Sequence, residues 1–165
     1  MAVSKDIVAT WRRPRRVMRR LLEIGRREDL ALVFLMLACL LIFVAQMPRL
    51  RVEALANAEV GFYDLLAGSL FAWLCGAPLL AYAIAAISHL IARIFGGRGT
   101  WYSARLAFFW TLLATTPAWL FYGLMAGLAP GGGELVAGIL LTAGLVVIWA
   151  LTLYEAERAP EGPQP

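Results

Sequence analysis

Few side chains in this sequence are equipped for chemistry, and they stand far apart. The single histidine is His89, preceded by Ser88. A nucleophilic serine needs a base that faces it, and positions i and i+1 of a helix point apart. Arg93 follows one turn later, so the set reads as a hydrogen-bonding histidine near a membrane interface. Cys39 and Cys75 lie inside apolar runs and read as small buried hydrophobes. One histidine and two distant cysteines make no zinc-ligand cluster. Pro130-Gly131-Gly132-Gly133-Glu134 is as glycine-rich as a phosphate-binding loop, but no Lys-Ser/Thr follows and no strand precedes, so it reads as a turn. No catalytic, cofactor or metal residue is expected, and the chain reads as non-enzymatic.

Apolar runs must position these residues. The chain has 165 residues, 61 % hydrophobic and 16 % charged, whereas soluble domains average about 45–50 % and about 25 %. The surplus lies in runs, which is the pattern of a membrane protein. Residues 65–94 and 106–128 are two apolar arms around the turn Gly96-Gly97-Arg98-Gly99-Thr100. Each exceeds the ~20 residues that cross about 30 Å of hydrocarbon, and inside lipid such arms must be helices. This hairpin is the expected core.

Pro78 and Pro117 sit near the middle of the two arms and are expected to kink them. Thr111, Thr115 and Thr116 are placed to take up the carbonyl that Pro117 frees. Gly123 and Gly127 form a GxxxG helix-packing face, open to a partner in the bilayer. Further spans fall at residues 30–47, ended by Pro48, and 135–154, with Gly138 and Gly144 as small packing positions. The expected fold class is an all-α integral membrane protein: a four-helix transmembrane bundle with spans at about 30–47, 65–94, 105–128 and 135–154. A loop fills residues 48–64, and the acidic, proline-rich residues 155–165 read as a disordered tail.

Residues 1–29 lack the apolar stretch of a signal peptide. They hold Lys5, Arg12, Arg13, Arg15, Arg16, Arg19, Arg20, Arg26 and Arg27, nine of the fifteen basic residues. Val17, Met18, Leu21, Leu22 and Ile24 share one side of a helix that Pro14 starts, with arginines on the flanks and far face. Trp11 adds an aromatic interfacial anchor. Such a basic amphipathic helix lies on the membrane surface, contacting anionic lipid through Trp11 and the eight arginines. Arginines that only fix orientation give the same pattern. Four spans put both termini and the glycine turn on one side. Arg93, Arg98, Arg105 and Arg158 raise the basic count there to thirteen, against Arg49 and Arg51 opposite. The positive-inside rule then makes both termini cytoplasmic. Arginine outnumbers lysine fourteen to one, a codon-usage bias that points to a GC-rich bacterium and its inner membrane.

The turn Gly96, Gly97, Arg98, Gly99, Thr100, running into a span that contains Pro117, resembles the Yip family. These are multi-span helical membrane proteins named for interaction with Ypt/Rab GTPases. Members often carry a Gly-Gly-Lys/Arg-Gly-Ser/Thr turn between two spans and a proline in the next. Residues 13–22, ahead of the first span, also look like bacterial members, and the likeness covers roughly residues 5–156. It implies a membrane protein of trafficking-family ancestry with no assigned reaction. The function expected is a non-catalytic scaffold, assembly or membrane-organising factor. It would act through helix packing and anionic-lipid contact, with a membrane-protein partner or self-association and no nucleic acid. The alternative is a small transporter or channel for an apolar or zwitterionic substrate, because prolines in both arms can mark broken helices.

Overall fold

The computed structural model describes residues 3–56, 61–129 and 131–158. Asn57 and Glu59 of the expected loop, Pro130 of the glycine turn and residues 159–165 of the expected tail lie outside the described residues. The described chain is all helix. It comprises α1 (Val3–Arg12), α2 (Pro14–Glu23), α3 (Glu28–Ala56), α4 (Phe62–Phe71), a π-helical turn (Ala72–Gly76), α5 (Ala77–Ile94), α6 (Trp101–Ala114), α7 (Thr116–Leu128) and α8 (Gly132–Arg158). Three helical runs, Glu28–Ala56, Phe62–Ile94 and Gly132–Arg158, are long and apolar enough to cross a membrane. A fourth is reached if α6 and α7, bent by 44° at their junction, count as one.

Each proline has a different outcome. Pro48 does not end the first span, because α3 continues through it to Ala56. Its ring lies against Gly127 of α7, where any added Cβ would come within 2.5 Å of the ring. Pro48 removes one backbone donor from α3, which nevertheless continues through it. Pro78 comes two residues after the π turn, and the helix runs unbroken from Phe62 to Ile94. The wider turn absorbs the missing amide and the ring. At Pro117 the helix breaks. Thr116 Oγ1 donates to the Leu113 carbonyl (2.8 Å), so the acceptor that Pro117 frees stays paired, and Thr115 Oγ1 lies within reach of the Thr111 (2.9 Å) and Leu112 (3.1 Å) carbonyls.

The two arms of the hairpin are unequal. On α6, Leu106, Ala107, Phe108, Phe109, Trp110, Leu113 and Ala114 are all buried, which marks a helix enclosed on every side. By contrast, only 11 % of the apolar window in Phe62–Ile94 is buried, so the first arm lies at the periphery. The core therefore centres on α6 alone, with Phe34, Leu35 and Ala38 of α3, Ala81 and Ala85 of α5, and Ala156 of α8 around it. Val17, Met18 and Leu21 of α2 join the same core.

The GxxxG face is already occupied. A Cβ on Gly123 would fall 1.7 Å from the Ala45 carbonyl oxygen, so α7 and α3 meet backbone to backbone. This face packs inside the chain rather than standing open to a partner.

Candidate functional site

His89, the glycine turn and several arginines of α2 come together where the end of α5, the start of α6 and the end of α8 meet, whereas Pro78, Pro117, Gly123 and Gly127 lie elsewhere in the bundle. Gly96 ends α5 with φ of +85°, a left-handed backbone that suits glycine. Gly96 N donates to the Arg93 carbonyl (3.0 Å) and Gly97 N to that of Ala92 (2.8 Å), which is the Schellman closure of a helix. Thr100 then starts α6 with a capping box shared with Ser103.

Between these caps the turn grips the last helix. Arg98 N donates to the Glu157 carbonyl (2.9 Å), and Gly99 N to Glu157 Oε2 (3.1 Å). A Cβ on Gly99 would meet the Ala156 carbonyl oxygen at 2.7 Å, and one on Gly97 would meet Glu157 Oε2 at the same distance. The other carboxylate oxygen of Glu157 shares a 2.7 Å hydrogen bond with His89 Nδ1. His89 is 1 % exposed, with its ring 4.6 Å from that of Trp101. Ser88 turns away and donates to the Ala85 carbonyl (2.9 Å), so no serine–histidine pair forms. Glu157 lies in the segment read as a disordered tail. Instead, α8 continues to Arg158, because Glu155 and Glu157 both find partners there.

The N-terminal segment folds as a helical hairpin whose apolar side is buried in protein, not laid on a surface. Val17 is 4 %, Met18 0 % and Leu21 2 % exposed. Thr10 Oγ1 accepts from Trp110 Nε1 (3.0 Å), and Trp11 Nε1 donates to the Ala114 carbonyl at the α6–α7 break (2.9 Å). Gly144 gives Trp11 its seat: a Cβ there would lie 3.2 Å from the indole ring, a tight contact. Trp11 therefore braces the bundle, although nearly half of its surface remains exposed.

The arginines divide into two groups. Arg19 pairs with Glu155 (2.6 Å), and Arg20 with Asp6. Arg15 lies over the Tyr154 ring, 4.7 Å from its centroid. Arg26 and Arg27 pair with Glu28 (3.4 Å) and Asp29 (2.9 Å). The Asp29 bond raises the Arg27 guanidinium above its ordinary value. Arg12, Arg13 and Arg16 are exposed, and no described side chain pairs with them. Sequence reasoning missed Asp6, Thr10 and Glu157 as partners. Glycines at 97 and 99 signalled only that some backbone comes close.

Among the described residues no group of three or more His, Cys, Asp or Glu side chains is placed to hold a metal. Cys39 is buried in the core, while Cys75 is exposed on the π turn. No protein-family model, curated protein or solved structure matches the chain.

Proposed function

We propose that this chain is a non-catalytic, multi-pass membrane protein of Yip-like type in a bacterial inner membrane, with both termini cytoplasmic. It serves as a scaffold or membrane-organising factor, holding an arginine cluster against the anionic inner leaflet. One observation carries the reading: the apolar face of α2 is locked into the core while Arg12, Arg13 and Arg16 point outward from the same hairpin. A hairpin anchored in this way presents charge at a fixed height, which an orientation signal does not need. The glycine turn supports the Yip-like reading, because every residue from Gly96 to Thr100 has a backbone or capping role.

Each arginine beside an anionic surface adds roughly 1 kcal/mol, weakened by salt. Replacing Arg12, Arg13 and Arg16 by glutamine in the full chain is expected to weaken phosphatidylglycerol binding to the detergent-solubilised protein roughly 100-fold at low salt. The difference should close at high salt. Unchanged binding at low salt rejects the lipid-contact role.

The 44° break between α6 and α7 favours a second reading, a small transporter for an apolar or zwitterionic substrate. Substrate-dependent thermal stabilisation of a protein that purifies without a partner would support it over the scaffold.

A further inference from the structure

The N-terminal helix pair reaches deep along the bundle, and two helices gauge how far. Trp11 Nε1 meets the carbonyl of Ala114, the last residue of the 14-residue α6, about 20 Å from the end that follows the glycine turn. The same indole sits on Gly144, midway along the 27-residue α8 and again about 20 Å from the end that the turn grips. The open end of the pair lies back at the turn. Arg19 reaches Glu155 there, Arg20 pairs with Asp6, and Tyr102 Oη donates to the Gly25 carbonyl (3.3 Å). Helices α1 and α2 therefore hang from the turn as a hairpin, with Arg12 and Arg13 at its tip.

The tip is tied down. At the Pro117 break the Ala118 amide donates to the Thr115 carbonyl (3.0 Å), which leaves the Ala114 carbonyl to the Trp11 indole. One turn of α6 nearer the start, Trp110 Nε1 donates to Thr10.

Two flanks of the bundle then ask for different membrane surfaces. On α5, Phe95 is 85 % and Ile94 81 % exposed, and Ile91, Leu90 and Ile87 continue this apolar surface away from the turn. Hydrocarbon on that flank comes up to the glycine turn. On the α1–α2 flank Lys5, Arg12, Arg13, Arg15 and Arg16 are all exposed, and the deepest of them stand at the tip. A cation facing hydrocarbon is costly, and snorkelling lifts a guanidinium by only one side-chain length. A flat bilayer cannot suit both flanks.

We propose that the α1–α2 flank indents the cytoplasmic leaflet. Phospholipid phosphates and their water follow the arginines down the side of the bundle to the level of Arg12 and Arg13. That level is roughly 15 Å below the phosphates beside α5, about half of the hydrocarbon thickness. The added function is one-sided thinning of the membrane. It rests on the membrane reading and on the contact of these arginines with lipid.

The test places a nitroxide at Val8→Cys or Ile87→Cys in the full chain carrying Cys39→Ala and Cys75→Ala. Both positions are exposed, at 62 % and 56 %, and both lie roughly 10 Å along the bundle from the glycine turn. In vesicles of phosphatidylethanolamine and phosphatidylglycerol, paramagnetic resonance reads collision with oxygen, which enters hydrocarbon, and with a water-soluble nickel chelate. The nickel-to-oxygen ratio is expected to be several-fold higher at position 8 than at position 87. Replacing Arg12, Arg13 and Arg16 by glutamine should bring the position 8 ratio down toward that of position 87, which itself stays unchanged. Low ratios at both positions in the unreplaced chain mean a flat bilayer, and high ratios at both mean that the hairpin stands clear of the membrane. Either result overturns the proposal, as does a position 8 ratio that survives loss of the three arginines. A chain that binds phosphatidylglycerol through these arginines in detergent, yet gives matching labels in vesicles, keeps the lipid contact and loses the indentation.

Discussion

Glu157 joins three separate parts of the molecule, α8, α5 and the glycine turn. One oxygen holds the buried ring of His89 and the other holds the amide of Gly99. Removing it leaves two groups without partners, and an orphaned buried polar group costs about 1–3 kcal/mol. Glu157→Ala is therefore expected to lower the thermal midpoint in detergent well below that of Glu157→Gln, which still offers Gly99 an oxygen. Equal midpoints for the two variants would show that the carboxylate carries no special weight. Gly99→Ala tests the same contact from the other side. Its methyl has no room beside the Ala156 carbonyl oxygen, and overpacking of this kind costs about 1–3 kcal/mol. Gly76→Ala has open space around it and should be close to neutral.

Among the helices, the α3–α7 contact decides how the bundle closes. With a Gly123 Cβ falling 1.7 Å from a backbone oxygen, valine there must push the helices apart. Gly123→Val should reduce stability by more than the usual overpacking range of about 1–3 kcal/mol, whereas Gly68→Val, with nothing nearby, should not. Thermal unfolding of the two variants side by side provides the check. The three prolines show where sequence periodicity loses its grip. Proline chemistry fixes the loss of one donor, but the outcome differs at each site. Pro48 has a glycine opposite, Pro78 has a π turn before it, and Pro117 has threonines that support a true break. Only the last was readable in sequence, because its helpers are local.

Seen whole, the molecule is a set of long apolar helices with an N-terminal helix pair packed along α6 and α8. Met18 is the bolt, 0 % exposed within the core. Truncating a buried methionine costs about 2–5 kcal/mol. Met18→Ala should therefore release the hairpin, read as faster amide hydrogen exchange across residues 3–23 while residues 106–113 stay protected. If both regions loosen together, the hairpin is inseparable from the bundle. The apolar spans and the amphipathic α2 were legible in sequence because hydrophobic runs and helical spacing are local properties. The enclosure of α6, the burial of α2 in protein and the partner of His89 were not, because each depends on contacts between residues far apart in the chain. The grip of the glycine turn on Glu157 joins residues 58 positions apart. During synthesis the turn leaves the ribosome long before its partner does, so this end of the protein must wait open until the last helix arrives. A nascent chain halted in that interval would display an unfilled turn and an unpaired His89, a visible mark of incompleteness for a quality-control protease to act upon.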